Sequence, residues 1–236
     1  MKINYIIATW NGTRVKPVQN VGYYLNVLKN HIKILNNTSN SISQITIMKP
    51  KSGIINSYYD IELNDKIKII ACENRYQSYG QWLKAATLFL EDFDYFIFIE
   101  DDYVPAANNF DEKLIKLYIE GTYLCSMTSI IYDNNHCAIS NGIISKETIK
   151  NVLLSNDYNI WLNNFGKNNT KLSFNGFNYQ IPFSRYFLDN GILLEDYRKD
   201  YQVDYFYGNS NEIRDFSLPN VLNKEKIFTP IQNIIK

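Results

Sequence analysis

Apolar residues fall along this chain in two rhythms. INYIIAT (3–9) is apolar almost throughout, the pattern of a strand buried on both faces. After Pro17, which suits the first turn of a helix, Val18, Val21, Tyr24, Leu25, Leu28, His31, Ile32 and Leu35 recur at helical spacing. SQITIM (43–48) reads as a second strand, 50–65 as a polar loop and KIKIIAC (66–72) as a third strand. ENRYQSYG (73–80) reads as a polar turn. QWLKAATLFLEDF (81–93) then predicts a helix with Trp82, Leu83, Ala86, Phe89 and Leu90 on its apolar side. YFIFI (95–99) is the fourth strand. Strand and helix alternating in this way predict a mostly parallel sheet flanked by helices, a Rossmann-like α/β fold.

The second half is less regular. NFDEKLIKLYIEG (109–121) predicts a helix that ends at Gly121, and TYLCSMTSIIY (122–132) a long strand. CAISNGII leads into a helix capped by Ser145. From Trp161 onward aromatic and Asn residues crowd together with few clear periods. Tyr158, Trp161, Phe165, Phe174, Phe177, Tyr179, Tyr186 and Tyr197 fall in this region. Flat aromatic faces suit sugar rings, and they equally suit a core. No linker interrupts the chain, so residues 1–236 are expected to form one domain with halves at 1–105 and 106–236.

Composition narrows the partners. The 236 residues carry 24 Lys and Arg against 24 Asp and Glu, with no long basic run, which argues against nucleic acid. The apolar run Tyr5–Ala8 is too short for a signal peptide or a membrane span, and no other run approaches spanning length. Three cysteines, Cys72, Cys125 and Cys137, lack metal-like spacing and fit a reducing compartment, so a cytoplasmic location is expected.

The candidate chemistry begins where the fourth strand ends. Glu100, Asp101 and Asp102 follow five apolar residues directly. Open parallel sheets bind ligands beyond such strand ends. Three neighbouring carboxylates disfavour one another's charged form, and a divalent cation reverses that. At an effective dielectric of about 20, unit charges 4 Å apart interact by about 4 kcal/mol. Mg2+ or Mn2+, which prefer carboxylate and phosphate oxygens, could therefore bridge this cluster to a diphosphate. The plainer alternative is a solvated acidic turn before Pro105.

FDYFIFIEDDYVP resembles the Asp-x-Asp segment of the GT-A fold glycosyltransferases, in which a short apolar strand ends in acidic residues holding a metal and a nucleotide-sugar. NRYQSYGQWLKAATLF is similar to the segment that precedes it in that family. The likeness covers residues 3–105 and extends loosely into the second half. It implies a GT-A fold with an irregular, aromatic-rich acceptor half. It also implies transfer of a sugar from a nucleotide-diphosphate sugar, a UDP-sugar for preference, to a glycan or other hydroxyl acceptor. Carried onto this chain, it sets Thr9 and Asn11 by the base and ribose, Asn74 against the nucleotide, and Lys84 by the sugar or phosphates. Asp102, with Asp101, would ligate the metal, and Glu100 or Asp101 would support ribose or sugar. The family more often has Asp at all three acidic places, so the longer Glu100 departs from the pattern. AISNGIIS (138–145) is similar to the stretch lining the donor sugar, where Gly142 could let a sugar approach the backbone or could mark a strand bulge. GILLEDYRKDY (191–201) resembles the segment that carries a Glu-Asp pair in inverting members. It makes Asp196 the candidate base, with Glu195 next and Asp189 as the fallback.

Two other readings stand beside this one. Gly12, Thr13, Arg14 and Pro17 match the spacing that ends the phosphate loop of sugar-1-phosphate nucleotidyltransferases. The earlier glycines of that loop are missing, and Trp10 stands where close backbone approach is needed. Arg14 could reach a diphosphate in either scheme. A non-catalytic carbohydrate-binding module is the third reading, and it would bind sugar without regard to manganese or nucleotide.

Overall fold

A strand with five apolar residues out of six needs cover on both sides, and Ile3–Ala8 finds it: every side chain, Asn4 included, is buried. Along the chain the elements are β1 (Ile3–Ala8), α1 (Val21–Thr38), β2 (Ile42–Pro50), β3 (Ile67–Cys72), α2 (Gln77–Leu88), β4 (Tyr95–Glu100) and β5 (Tyr103–Pro105). There follow α3 (Phe110–Leu117), β6 (Thr122–Ile131), β7 (Asn134–Ser145), α4 (Lys146–Leu153), α5 (Phe177–Asp189), β8 (Leu193–Asp196) and β9 (Phe228–Pro230). This computed structural model describes residues 1–9, 21–39, 41–51, 64–73, 77–101, 103–131, 134–155, 158, 177–197 and 227–230.

Seven strands form one sheet in the order β3-β2-β1-β4-β7-β6-β8, which puts β4 at its centre. The pairs β3/β2, β2/β1, β1/β4 and β6/β8 are parallel, and only β7 runs against its two neighbours. The chain thus has the mostly parallel, helix-flanked α/β sheet that its alternating pattern predicts. β5 and β9 form a separate antiparallel ribbon.

Side-chain alternation sorts the helices into two layers. Tyr5, Ile7, Ile97 and Ile99 face Leu28, Ile32 and Leu35 of α1 and Phe110 and Leu114 of α3. Ile6, Phe96 and Phe98 face the other way, against Trp82, Leu83 and Ala86 of α2, Ile149 and Val152 of α4, and Phe183 and Phe187 of α5. Each fully buried Leu, Ile or Phe contributes about 1.5–3 kcal/mol, so both layers hold the sheet firmly. Trp82 adds direction. Its ring stacks on Phe98 with centroids 5.6 Å apart, and its indole N–H donates to the Ile99 carbonyl at 3.0 Å.

Three helix ends differ from their sequence expectation, one being the C-terminus of α2, which stops at Leu88 and not at Phe93. α2 starts at Gln77, four residues before the expected start, so Gly80 lies inside the helix and not in a turn. Packing of Tyr79 and Trp82 under the sheet outweighs the low helix propensity of glycine. α3 ends at Leu117 and not at Gly121. Tyr118 turns to an extended backbone (ψ 134°), and its hydroxyl reaches Thr148 at 2.9 Å. Gly121 has φ +84° and makes the left-handed turn into β6. The Ser145 cap of α4 forms as expected, its hydroxyl accepting the Thr148 N–H at 3.1 Å.

The hairpin of β6 and β7 outgrows its neighbours. β8 pairs only with Thr122–Cys125, and β4 only with Gly142–Ser145. Beyond those registers the two strands continue together to Ile131 and Asn134. At about 3.4 Å per residue, the six residues past Cys125 reach about 20 Å beyond the end of β8.

Candidate active site at the end of the central strand

The acidic turn leaves β4 at its C-terminal end, flanked by the end of β1 on one side and by β7 on the other. Its backbone is fixed from several directions. The Asp101 N–H donates to the Ala8 carbonyl at 3.0 Å, and the Asp101 carbonyl accepts from His31 Nδ1 at 3.2 Å. The Glu100 N–H donates to Asn141 Oδ1 at 2.9 Å. The Glu100 carboxylate accepts from Ser78 Oγ at 2.7 Å, in the first turn of α2, where the positive end of a helix favours a negative group.

His31 belongs to the apolar stripe of α1 and is fully buried. Its Nε2 lies 2.8 Å from the Tyr5 hydroxyl, and the two rings meet edge to face. Donation from Nδ1 and acceptance at Nε2 together define a neutral imidazole. Burial lowers its pKa to about 4, against the opposing effect of the Asp101 carbonyl.

At the end of β1, Thr9 is buried and its backbone is clasped by one side chain. Gln81 Oε1 accepts the Thr9 N–H at 2.9 Å, and Gln81 Nε2 donates to the Thr9 carbonyl at 3.0 Å. The Thr9 hydroxyl donates to the Met48 carbonyl at 2.6 Å. Lys84 is exposed one turn further along α2. Its ammonium and that of Lys51 act on Cys72 at the end of β3, where burial nonetheless pushes the thiol up to about 11. These two cations mark a basic rim on the β3 side of the strand ends.

On the other side of β4 lie the residues of the second half. Asp196 is buried at the end of β8, and its Oδ2 accepts from the Thr128 N–H at 3.0 Å and from the Thr128 hydroxyl at 2.6 Å. Three strand spacings, about 14 Å, separate β8 from β4. Glu195 is half-buried beside it. Asp189 sits at the opposite end of the sheet, exposed on α5 and bonded to Arg185 Nε at 2.9 Å, so the fold does not bring it to this site. Gly142 packs against β6: a Cβ there would lie 2.3 Å from the Leu124 carbonyl oxygen. The close approach it permits is that of a neighbouring strand.

Asp102, Asn11, Arg14 and Asn74 lie outside the described residues, as do Trp161, Phe165 and Phe174. Of the aromatic group, Tyr158 and Tyr186 are buried, and the Tyr197 hydroxyl donates to Ser126 Oγ at 2.8 Å. Among the described residues no three His, Cys, Asp or Glu side chains gather closely enough to hold a metal ion. Glu100 and Asp101 supply carboxylate oxygens of the kind Mg2+ and Mn2+ prefer, and Asp102 follows them directly in sequence. Sequence reasoning missed Ser78, Gln81, Thr128 and Asn141. Of these only Asn141 carried a signal, as the polar neighbour of Gly142 inside an apolar run. Cys72, Cys125 and Cys137 are buried thiols outside any disulfide, and no helix among the described residues is long and apolar enough to cross a membrane.

No protein-family model matches the sequence, and no curated protein matches it. Solved structures with a similar course include HddC from Yersinia pseudotuberculosis, 19% identical over 62% of this chain and 78% of that one, with a TM-score of 0.40. A putative glucose-1-phosphate thymidylyltransferase from Bacillus anthracis is 9% identical over 83% of this chain and 87% of that one, with a TM-score of 0.44. The 4-diphosphocytidyl-2C-methyl-D-erythritol synthase of Anaerococcus prevotii is 11% identical over 90% and 92%, with a TM-score of 0.45. These three likenesses concern the course of the chain and are too faint to carry an argument about its chemistry.

Proposed function

We propose that the chain is a metal-dependent glycosyltransferase that moves a sugar from a nucleotide-diphosphate sugar, a UDP-sugar for preference, to a hydroxyl acceptor. One observation supports this reading above the others. The carboxylates Glu100 and Asp101 stand at the C-terminal end of the central strand of a mostly parallel sheet, on a backbone held by Ala8, His31 and Asn141. Asp101 and Asp102 would hold Mg2+ or Mn2+, and Glu100 would line the ribose or sugar. When bound, the ion offsets the diphosphate's charge and stabilises it as a leaving group. Thr9, Asn11, Arg14, Asn74 and Lys84 would line the nucleotide on the β1 side. Asp196, oriented by its two bonds from Thr128, would take the proton of the acceptor hydroxyl, with Glu195 beside it.

The test is a thermal-shift panel of UDP-, GDP-, CDP- and dTDP-sugars with and without Mn2+, on the wild type and on Asp102→Ala. One nucleotide-sugar should raise the melting point only with Mn2+, and Asp102→Ala should lose that rise. A panel without any Mn2+-dependent rise overturns the reading. The Gly12-Thr13-Arg14 and Pro17 spacing supports a second reading, a sugar-1-phosphate nucleotidyltransferase. That enzyme would release pyrophosphate from a nucleoside triphosphate, whereas the transferase releases a nucleoside diphosphate from its donor.

A further inference from the structure

A buried polar atom without a partner is rare in a folded protein and destabilises it, so its place asks for an explanation. Asn141 carries such an atom beside the acidic turn. The residue is fully buried on β7, and among the described residues its Nδ2 has no hydrogen-bond partner. The rest of the residue is firmly held. Oδ1 accepts the Glu100 N–H at 2.9 Å, and the backbone carbonyl accepts from Ser126 Oγ at 2.9 Å. Ser126 Oγ in turn accepts from the Tyr197 hydroxyl at 2.8 Å. The amide cannot be turned over, because its NH2 group would then face the Glu100 N–H, donor against donor. Asn4 Nδ2 also lacks a partner, but it lies toward the start of β1, away from the strand ends where the acidic turn stands.

We propose that Asn141 is a ligand-reading residue: its amide NH2 donates a hydrogen bond to an oxygen of the nucleotide-sugar held at the acidic turn. This rests on the reading given under Proposed function. The setting accounts for an amide at this position. Carboxylates dominate the turn and would repel the phosphate or hydroxyl oxygens of a ligand, whereas a neutral donor attracts them without competing for the metal. The Glu100 bond fixes the donor relative to the carboxylates, so ligand and metal would be read from one rigid unit. The oxygen belongs either to a sugar hydroxyl or to a phosphate.

The experiment compares wild type, Asn141→Ala and Asn141→Asp by calorimetry with Mn2+ present. The titrants are the nucleotide-sugar that most stabilises the wild type in the panel above and its nucleoside diphosphate alone. Asn141→Asp keeps an oxygen for the Glu100 N–H and replaces the donor, and Asn141→Ala removes both without adding charge. Both variants should bind the nucleotide-sugar at least about tenfold more weakly. If binding of the diphosphate is unchanged, the oxygen is on the sugar; if it weakens equally, the oxygen is on a phosphate. Ligand-free melting and Mn2+ affinity without nucleotide, measured on the same samples, report the fold and the turn. Asn141→Ala should melt lower, because it leaves the Glu100 N–H without this acceptor, while Asn141→Asp keeps it, so weaker nucleotide-sugar binding in both variants marks the lost donor and not a distorted turn. Wild-type affinity for both titrants in both variants overturns the inference. A wild type that binds no nucleotide-sugar overturns the functional reading itself.

Discussion

Gln81 gives both ends of its amide to the backbone of one residue, Thr9, and so fastens α2 to the end of β1. Gln81→Ala removes both of these bonds to buried backbone groups. At about 1–3 kcal/mol for each group, it should lower unfolding stability by about 2–6 kcal/mol in urea melts. A loss under about 1 kcal/mol would mean that the clasp contributes nothing beyond its geometry. His31 gives a pH dependence. Its folded pKa of about 4 lies below the ordinary histidine value of 6.5. The stability of the neutral ring is therefore fully present above about pH 6.5 and is lost as pH falls toward 4. Between pH 7 and 4.5 this amounts to about 2 kcal/mol at 1.36 kcal/mol per pK unit. His31→Gln should lose correspondingly less stability across that interval than the wild type, and parallel profiles would contradict the account. At this scale the sequence was legible in part. His31 read as one more member of an apolar stripe, which it is, but nothing in the sequence revealed its bond to Asp101. That bond spans 70 residues and exists only once α1 lies under the sheet.

Elements were more legible than residues, because apolar runs and helical stripes are local properties of the chain. β1, β2, β3, β4 and β6 stand where their runs lie, and Ser145 caps α4. Two boundaries were moved by distant contacts: the start of α2, drawn back by Tyr79 and Trp82, and the end of α3, released by Tyr118; the end of α2 also fell short, at Leu88 and not Phe93. The sequence presented Gly142 as either a sugar approach or a bulge. The choice needs the position of β6, which no local pattern contains. A methyl group at this position would meet backbone on β6, which cannot yield as a flexible side chain would. Overpacking of a well-filled interior costs about 1–3 kcal/mol, and Gly142→Ala should fall at or beyond the upper end. Chemical denaturation would measure it, and a change below about 1 kcal/mol would show that β6 and β7 can part locally.

For the molecule as a whole, the acidic strand end was the most legible feature, because charge directly after an apolar run is visible without a fold. Its surroundings were not, since Ala8, His31, Ser78 and Asn141 come from four separate stretches of the chain. A ligand that bridges them binds only the folded state. UDP with Mn2+ at about 100 times its dissociation constant should therefore add about 2.7 kcal/mol to the stability. For a chain of this length that is a rise of about 5–10 °C in melting temperature, readable by scanning fluorimetry. EDTA should abolish the rise, and a rise that survives EDTA would separate nucleotide binding from the metal.

The overgrown β6–β7 pair has a consequence for how such a molecule could diversify. In its outer portion residues 129–131 pair with 134–136, and the neighbouring Cys137 N–H donates to Ser184 Oγ of α5. The sheet ends below it. Changes at 129–131 and 134–136 would leave the bonds that seat the acidic turn as they are, since none of those bonds comes from these residues. Exchanging that portion is therefore a route by which one strand-end floor could come to serve different ligands.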